Sequence, residues 1–307
     1  MMPDIVQIKN NICIILNCEL CDIQDFRKID EGLMNISYVF SVNDIKYIYR
    51  HAGEGTEELI NRKNEKKSLL IAKENNIDST FIYMDDIEGY KISFYKDDYR
   101  KPDYYSENDS DKVIKLLKKL HSLDIKTNYE FNPFEDSLFL LDKIKKIDDM
   151  VFKECEQYKN RIFEIYNKIY NKNKCFCHCD FYRPNILIKN DDIILIDWEY
   201  SAMSNPFVDV AYYIVDAMYD FESAKSFIIK YLRTFGLTRK PLGFCIKVRK
   251  DFHDLFFYIP IVAYYWVIWA IYKKLCGFDV DDYLEKWKKV MTNYLEYIEY
   301  YISKYGT

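Results

Sequence analysis

The sequence lacks an excess of either charge. Its 307 residues include 44 Lys or Arg and 49 Asp or Glu, which gives a formal net charge of −5 and a pI near 5.6. Proteins that bind nucleic acid without sequence preference are normally basic and carry clustered Lys and Arg. The composition therefore argues against a general nucleic-acid binder, and we expect no nucleic-acid partner.

The sequence also lacks the segments that direct a chain to or across a membrane. No N-terminal stretch combines a basic start, an apolar run and a small-residue cleavage site. The most apolar run, 259–272, is shorter than the roughly 20 residues of a membrane helix, and it predicts a buried helix instead. We therefore expect a cytoplasmic protein without stable membrane insertion, and nine irregularly spaced cysteines fit a reducing compartment.

The cysteines lack a common metal-ligand pattern. Cys18 and Cys21 form a single C-x-x-C without a second pair at zinc spacing. Cys175, Cys177 and Cys179 alternate as they would on one face of a strand. Structural cysteines are the simpler interpretation, and a zinc or redox role stays open as the alternative for both groups.

Glycine-rich nucleotide motifs are missing as well. The segment 30–37 contains only Gly32, so it has no Gly-x-Gly-x-x-Gly pattern. Gly53-Glu-Gly55 likewise lacks the Lys-Ser/Thr of a P-loop. If the chain binds a nucleotide, 30–37 is the turn expected to cover it, with Asn35 as a candidate contact.

One segment carries most of the chemical information that is present. His178-Cys179-Asp180 is followed by Asn185 and, after a short apolar run, by Asp197. Phosphoryl transfer needs positioning and charge neutralisation more than covalent chemistry. Asp180 is the candidate base, while Asn185 and Asp197 offer the hard oxygen ligands that Mg²⁺ prefers. The spacing predicts phosphoryl transfer, and a capping Asp with a turn Asn is the simpler alternative.

Other charged residues have two interpretations each. Glu199 is a candidate metal ligand or an exposed loop carboxylate. Asp209 falls in the first turn of a helix, where a carboxylate is favourable for capping alone. Arg50 ends a strand and Glu65 lies on the next helix, so both could serve the nucleotide phosphates or could be surface charges. His178 is expected to be structural and not the base.

The pattern of predicted elements changes near residue 95. Strand signals surround one helix, predicted from Thr56 to about Lys73, and Asn43-Asp44 is a hairpin turn signal. The strands predicted in this part are 37–42, 45–50, 79–84 and 90–95. Helical periodicity follows over 111–120 and 139–172, with strand signals only at 175–179, 186–189 and 193–197.

This order of elements predicts an α+β, two-lobed, protein-kinase-like fold. A small antiparallel-sheet lobe with one main helix would span 1–95 and bind the nucleotide. A polar linker would span 96–110. A mainly helical lobe, 111–307, would hold the catalytic loop and the substrate pocket.

At these residues the chain resembles the choline/ethanolamine kinase family, especially its bacterial choline kinases, within the aminoglycoside-phosphotransferase-like group. The segments that carry the resemblance are Gly53–Lys63, Leu120–Leu123, His178–Asn185 and Ile196–Ser201 running on to Asp209. The resemblance implies ATP and Mg²⁺ as cofactors. It also implies that Asp180 is the base, that Asn185 and Asp197 bind the metal, and that Asp209 braces the catalytic loop.

The resemblance further implies an aromatic pocket for a cationic substrate. Trp266 and Trp269 are three residues apart, so they would lie on one side of a helix. Cation–π attraction would contribute roughly 0.5–2 kcal/mol per well-placed ring. Asp216 could balance the charge, and Tyr200 and Phe221 are further aromatic candidates, with core packing as the alternative for each ring.

The sequence therefore predicts ATP-dependent phosphorylation of the choline hydroxyl to phosphocholine, a phospholipid precursor. Ethanolamine is the nearest rival substrate, and an aminoglycoside-type acceptor is the third. The non-enzymatic alternative is a nucleotide-binding pseudokinase, against which the joint presence of Asp180, Asn185 and Asp197 argues. The sequence predicts no oligomeric state.

Overall fold

The computed structural model describes residues 4–29, 35–53, 59–234 and 243–305. The chain forms two compact units. The first unit contains Met1–Lys101 and Asn185–Ser201, and the second contains Pro102–Pro184 and Ala202–Thr307. The first unit thus includes a segment from within 111–307, the range predicted for the helical lobe. The predicted assignment of functions to 1–95, 96–110 and 111–307 stays a prediction.

Strands and helices alternate unevenly along the described residues. The strands are β1 (Gln24–Ile29), β2 (Asn35–Val42), β3 (Ile45–Ala52), β4 (Phe81–Met84), β5 (Lys91–Phe94), β6 (Cys175–Cys177), β7 (Ile186–Lys189), β8 (Asp192–Leu195) and β9 (Ala202–Ser204). The α-helices are α1 (Ile5–Leu16), α2 (Arg62–Glu74), α3 (Glu107–His121), α4 (Pro133–Ile147), α5 (Asp149–Tyr166), α6 (Phe207–Asp216), α7 (Phe221–Thr234), α8 (Gly243–Leu275) and α9 (Asp281–Tyr305).

A five-stranded antiparallel sheet forms the centre of the first unit. Its strand order is β1-β2-β3-β5-β4. The predicted hairpin joins β2 to β3, and its turn residues Asn43 and Asp44 have φ values of 51° and 62°. This left-handed backbone matches the twist of a tight two-residue hairpin, which explains the preference for Asn and Asp. The same unit contains the β7–β8 hairpin.

Helix α1 was not predicted from the sequence, which indicated only one helix among the strands of residues 1–95. The Asp4 side chain caps it by accepting from the Val6 amide at 2.9 Å. Ile8 and Ile12 lie one turn apart on one face and are buried in a core that includes Phe40 of β2. The helix is therefore held by tertiary packing on the sheet rather than by its own propensity.

Helix α2 begins later than predicted. The predicted start, Thr56, lies outside the described residues, as do the rest of 54–58 and the segment 30–34 of the predicted covering turn. Within the described part, Asn61 is the N-cap and its side chain accepts from the Asn64 amide at 3.0 Å. The cap fixes the first helical residue at Arg62, because it satisfies an amide that the helix itself leaves unpaired.

The second unit is mainly helical, and two predicted boundaries in it differ from the structure. The single helix expected over 139–172 is two helices, α4 and α5. Asp148 separates them with an extended backbone (φ −149°) and caps α5 by accepting from Met150 and Val151. Helix α3 begins inside the predicted linker, because Ser106 caps it.

Helix α8 is the longest helix among the described residues, at 33 residues. Its part from Arg249 to Leu275 is long and apolar enough to cross a membrane by length and composition, and it alone among the described helices. However, 94% of its most apolar window is buried inside the protein, as in a core helix. The predicted buried helix is confirmed, although it extends well beyond 259–272.

Candidate active site

A cavity of about 270 Å³ lies in the first unit. Its lining comes from the sheet, from the chain that follows β5 and from the β7–β8 hairpin. Apolar side chains such as Ile48 and Leu187 form part of the wall, and Arg50, Lys91 and Asp197 also line it. A cavity with apolar walls and converging charged groups is typical of a small-molecule site, and this one suits a flat base next to phosphates.

Charged side chains of both signs meet beside this cavity. Arg50, near the end of β3, donates from Nη1 to Asp197 Oδ1 at 2.5 Å and from Nη2 to Glu199 Oε2 at 3.1 Å. With its amide oxygen facing Arg50, Asn35 accepts from Nε at 2.8 Å. Four residues predicted separately from the sequence are therefore in direct contact.

Lys91 is a member of this cluster that sequence reasoning missed. It lies on β5 directly opposite Arg50 of β3. Its Nζ donates to Glu65 Oε1 at 2.9 Å and lies 3.4 Å from Asp197 Oδ1. Arg62 holds the other oxygen of Glu65 at 2.7 Å. The available signal was one charged residue in a short strand that is otherwise uncharged, and the structure buries this lysine.

Three cations thus balance three carboxylates, but the carboxylates are not equivalent. Burial raises the pKa of Glu199 to about 7; Asp197 adds to the effect, and Arg50 opposes it. Burial also acts to raise the pKa of Glu65, but Lys91, Arg62 and Arg50 outweigh it and hold that pKa below its usual range. Glu65 is therefore a fixed anion that orients two cations.

Asn185 and Asp197 are brought together by the backbone of the first unit. The Ile196 amide donates to the Asn185 carbonyl at 2.9 Å, which places Asn185 beside the chain that leads into Asp197. Asp197 has a left-handed backbone (φ 71°), so the chain turns sharply after β8. One carboxylate oxygen from each of Glu65, Asp197 and Glu199 lies within 4.8 Å of the other two. These hard oxygen donors suit Mg²⁺.

In the second unit, Asp209 holds the start of the loop that contains Asp180. Its carboxylate is fully buried and accepts from the Cys179 amide at 2.8 Å and the His178 amide at 3.0 Å. His121 Nε2 lies 2.9 Å from the same carboxylate. Asp209 thus directs its oxygens at the loop instead of the amides of its own helix, and Cys179 takes a left-handed backbone (φ 60°) to reach it.

Asp216, at the other end of α6, holds the far side of the same loop. It accepts from the Arg183 amide at 2.9 Å and from the Tyr104 hydroxyl. Burial raises the pKa of Asp216, while these two hydrogen bonds oppose the rise. Asp180 lies between the two attachments, is mostly buried, and its carbonyl accepts from the Tyr182 amide at 3.0 Å. The predicted role of Asp216 as a substrate counter-ion stays a prediction.

The tryptophan pair is part of a larger aromatic cluster. The Trp266 and Trp269 rings are 5.2 Å apart on α8, and Trp287 of α9 lies 5.4 Å from Trp266. All three are mostly buried. Lys273 places its ammonium 5.9 Å from the centre of the Trp269 ring, so this ring already contacts a cation. Trp287 comes from a different helix, and no local spacing points to it.

The structure does not bring Phe221 to the tryptophan pair. Phe221 stacks on Tyr297 at 4.1 Å and lies 6.2 Å from Phe256 of α8. Phe256 precedes Trp266 by ten residues, which is about 15 Å along a helix. Phe221 therefore belongs to a separate aromatic group. Tyr200 is half-buried and lies in the first unit.

Comparison with known proteins gives consistent results. The family model for choline/ethanolamine kinase matches residues 26–305. The protein LicA of Haemophilus influenzae is 21% identical over 262 residues, covering 83% of this chain and 75% of that protein. The crystal structure of choline kinase LicA from Streptococcus pneumoniae matches with a TM-score of 0.77 at 23% identity, covering 95% of this chain and 98% of that one.

A second solved structure, LicA in complex with AMP, matches with a TM-score of 0.68 at 22% identity. It covers 89% of this chain and 92% of that chain. At these identities the likeness concerns the fold. The α+β, protein-kinase-like fold predicted from the sequence is confirmed by it.

Proposed function

This chain belongs to the choline/ethanolamine kinase family, which makes it a small-molecule kinase, and we propose that it transfers the γ-phosphoryl group of ATP to the hydroxyl of choline. The observation that carries the proposal is the position of Asp197. This aspartate lines the cavity of the first unit and contacts both Arg50 and Lys91. A carboxylate held between two cations beside an apolar cavity is suited to a nucleotide polyphosphate and its counter-charges.

The first unit would bind the nucleotide. The adenine would lie between apolar side chains such as Ile48 and Leu187, with the phosphates toward Arg50 and Lys91. The AMP complex of a structurally similar LicA supports a nucleotide site in this fold. Glu65 would keep Lys91 extended toward the phosphates, because their ion pair is buried and short.

Asn185 and Asp197 would hold Mg²⁺, and Glu199 is the further candidate ligand. Their amide and carboxylate oxygens are the donor type that this ion prefers. When bound, Mg²⁺ supplies charge neutralisation for the phosphates. The protein's own part is to keep these oxygens in place, which the Ile196–Asn185 backbone hydrogen bond supports.

Asp180 would orient the choline hydroxyl and accept its proton as the oxygen attacks phosphorus. The new oxygen–phosphorus bond forms as the bond to the ADP leaving oxygen breaks. The two aspartates at the ends of α6 hold both sides of the Asp180 loop. A loop fixed in this way limits the reorganisation that would otherwise slow the reaction.

The acceptor is the finer part of the proposal. Trp266 and Trp269 present adjacent indole rings, and indoles bind quaternary ammonium groups through cation–π attraction. The approach of Lys273 to Trp269 supports the ability of this ring to face a cation. Ethanolamine is the alternative acceptor, and its ammonium would need additional hydrogen-bond acceptors. A cytoplasmic location is part of the same proposal.

Replacement of Asp180 by Asn tests the reaction. We expect ADP formation with choline to fall by about 10²- to 10⁴-fold, because a general base is lost. Asp124, an exposed aspartate of the same unit, gives the matched control Asp124→Asn, which should turn over like the wild type. Equal activity of the two variants would rule out Asp180 as the base.

The acceptor is tested by measuring kcat/KM for choline, ethanolamine and an aminoglycoside side by side. Choline should be preferred, and Trp269→Ala should raise its KM by about 2- to 30-fold, which corresponds to one cation–π contact. Trp269→Phe is the control that keeps an aromatic face. If Trp269→Ala changes the KM of ATP and choline equally, the tryptophan packs the core and does not bind choline.

A further inference from the structure

A cluster of nitrogen and sulfur ligands lies in the second unit, next to the start of the catalytic loop. His121, Cys175 and Cys177 each place one ligand atom within 4.8 Å of those of the other two. The two thiol sulfurs, which share one face of β6, are 3.6 Å apart. A tetrahedral zinc ion with Zn–S bonds of about 2.3 Å separates its two sulfur ligands by roughly 3.8 Å. The sulfurs are therefore already near metal-binding distance.

We propose that His121, Cys175 and Cys177 form a binding site for a thiophilic cation of the zinc class. Two thiolates and one imidazole are the donors that such ions select, whereas Mg²⁺ and Ca²⁺ require oxygen. Three protein ligands leave a fourth position for water, as in other zinc sites with an open coordination position. This site is separate from the oxygen donors proposed for Mg²⁺ and does not depend on the kinase reaction.

The surroundings of His121 have the arrangement expected around a metal-bound histidine. Ligating histidines usually donate their second ring N–H to a carboxylate, which fixes the tautomer and orients the ring. Here Nε2 lies 2.9 Å from the Asp209 carboxylate. Nδ1 lies 3.0 Å from the Tyr231 hydroxyl, and we assign Nδ1 as the metal ligand because Nε2 is already engaged. The Tyr231 hydroxyl would give up this contact on metal binding.

The charge balance and the accessibility of the site both favour binding of a divalent cation. The His121 side chain and Cys177 are buried, whereas Cys175 is partly exposed and offers the route of entry. Binding exchanges the two thiol protons for one divalent ion. Two thiolates, a neutral imidazole and a divalent cation sum to zero charge, as do the two thiols and the imidazole before binding, so the ion adds no net charge beside the buried Asp209 carboxylate. The same arrangement without metal keeps two thiols in a neutral hydrogen bond.

The sequence alone could not point to this site. The C-x-C of β6 has no second cysteine pair at zinc spacing, and the third ligand comes from the end of α3, 54 residues earlier than Cys175. The ligands meet because α3 packs beside β6 in the second unit. The zinc alternative that the sequence left open for these cysteines thus becomes a specific set of three ligands.

Cobalt binding tests the proposal with a readout that is independent of kinase activity. The full chain, reduced with a phosphine and stripped with a chelator, is titrated with Co²⁺ and followed by thiolate-to-cobalt charge-transfer absorption. We expect one cobalt per chain with this absorption, and its displacement by Zn²⁺. Cys175→Ser and Cys177→Ser should each weaken binding at least tenfold and lower the absorption, and the double variant should lose it.

Two controls separate this site from the other thiols. Cys18→Ser removes the C-x-x-C, and Cys276→Ser removes an exposed thiol; both should bind cobalt like the wild type. If either β6 variant folds poorly, alkylation of the wild type with and without Zn²⁺ gives a second measurement, in which the metal should protect Cys175 from modification. Absence of the absorption, its persistence in the Cys175→Ser/Cys177→Ser double variant, or unprotected Cys175 would overturn the proposal. If the protein proved inactive as a kinase but still bound cobalt at this site, the metal-site proposal would stand and only the proposed function would fail.

Discussion

Replacement of Asp209 by Asn should reduce both stability and turnover, because this carboxylate holds the start of the loop that contains Asp180, the proposed base. It accepts from two loop amides, those of His178 and Cys179, at 3.0 and 2.8 Å. Asn keeps one acceptor oxygen but turns an NH₂ group toward the second amide. A hydrogen bond to a charged group is lost, at roughly 1.5–3 kcal/mol, and a buried donor is left unpaired, at a further 1–3 kcal/mol.

We therefore expect the free energy of unfolding to fall by about 2.5–6 kcal/mol, out of the roughly 5–15 kcal/mol of a typical domain. Urea unfolding followed by circular dichroism measures the change. Displacement of the loop by about 1 Å should also lower kcat by roughly 10²-fold, because Asp180 follows the two held amides directly. The kcat is measured at a temperature where the variant is fully folded.

Asp254 provides a matched control within the same unit. It is also fully buried, accepts from the backbone amides of Tyr170 and Asn171, and contacts a histidine, His253. Asp254→Asn should therefore destabilise the protein to a similar degree while kcat stays within about twofold of the wild type. If the two variants lose kcat equally, Asp209 contributes only stability and the reasoning about the loop is wrong.

Three further changes address other parts of the fold. Glu65→Gln removes the buried partner of Lys91 and should raise the KM of ATP about tenfold or more. The control Glu74→Gln, at the exposed end of α2, should leave this KM unchanged, and equal KM values for the two variants would exclude Glu65 from the nucleotide site. Ile12→Ala should lower the free energy of unfolding by about 2–5 kcal/mol. Ile14 is 79% exposed, so Ile14→Ala should change this free energy little, and a small effect at both positions would show that α1 does not contribute to the core. Asp148→Ala should destabilise by about 0.5–2 kcal/mol through loss of the α5 cap with unchanged kcat, and a large loss of kcat would contradict a purely local role.

The elements that the sequence predicts correctly are those with strong local signals. The β2–β3 hairpin follows from two alternating strands around Asn43-Asp44, because turn chemistry and strand pairing are decided within a few residues. Helix α1 and the break at Asp148 were missed for the opposite reason. Helix α1 depends on the packing of Ile8 and Ile12 against strands that come later in the sequence. The break depends on one capping residue, Asp148, within a long segment whose hydrophobic pattern is helical throughout.

The residues of the candidate site likewise include some that local sequence signals indicate and one that they do not. Arg50, Glu65 and Asp197 could be proposed from strand ends and motif spacing, whereas Lys91 could not. A lone lysine on a strand is ordinarily a surface charge, and only the register of β5 against β3 places it beside Arg50. Phe221 is the converse case, since it was a candidate for the aromatic pocket with core packing as the alternative, and its ring stacks on Tyr297 of α9.

The sequence by itself determined the reaction class. Asp180, Asn185 and Asp197 are separated by a short loop and hairpin, so their spacing is a local property that can be read without any long-range contact. The tertiary structure decided how these groups are held. The two aspartates of α6 fix the loop, the cations of β3 and β5 surround Asp197, and an α3 histidine meets the thiols of β6. Each of these contacts joins elements that are distant in the sequence, so the residues approach one another only when the core packs.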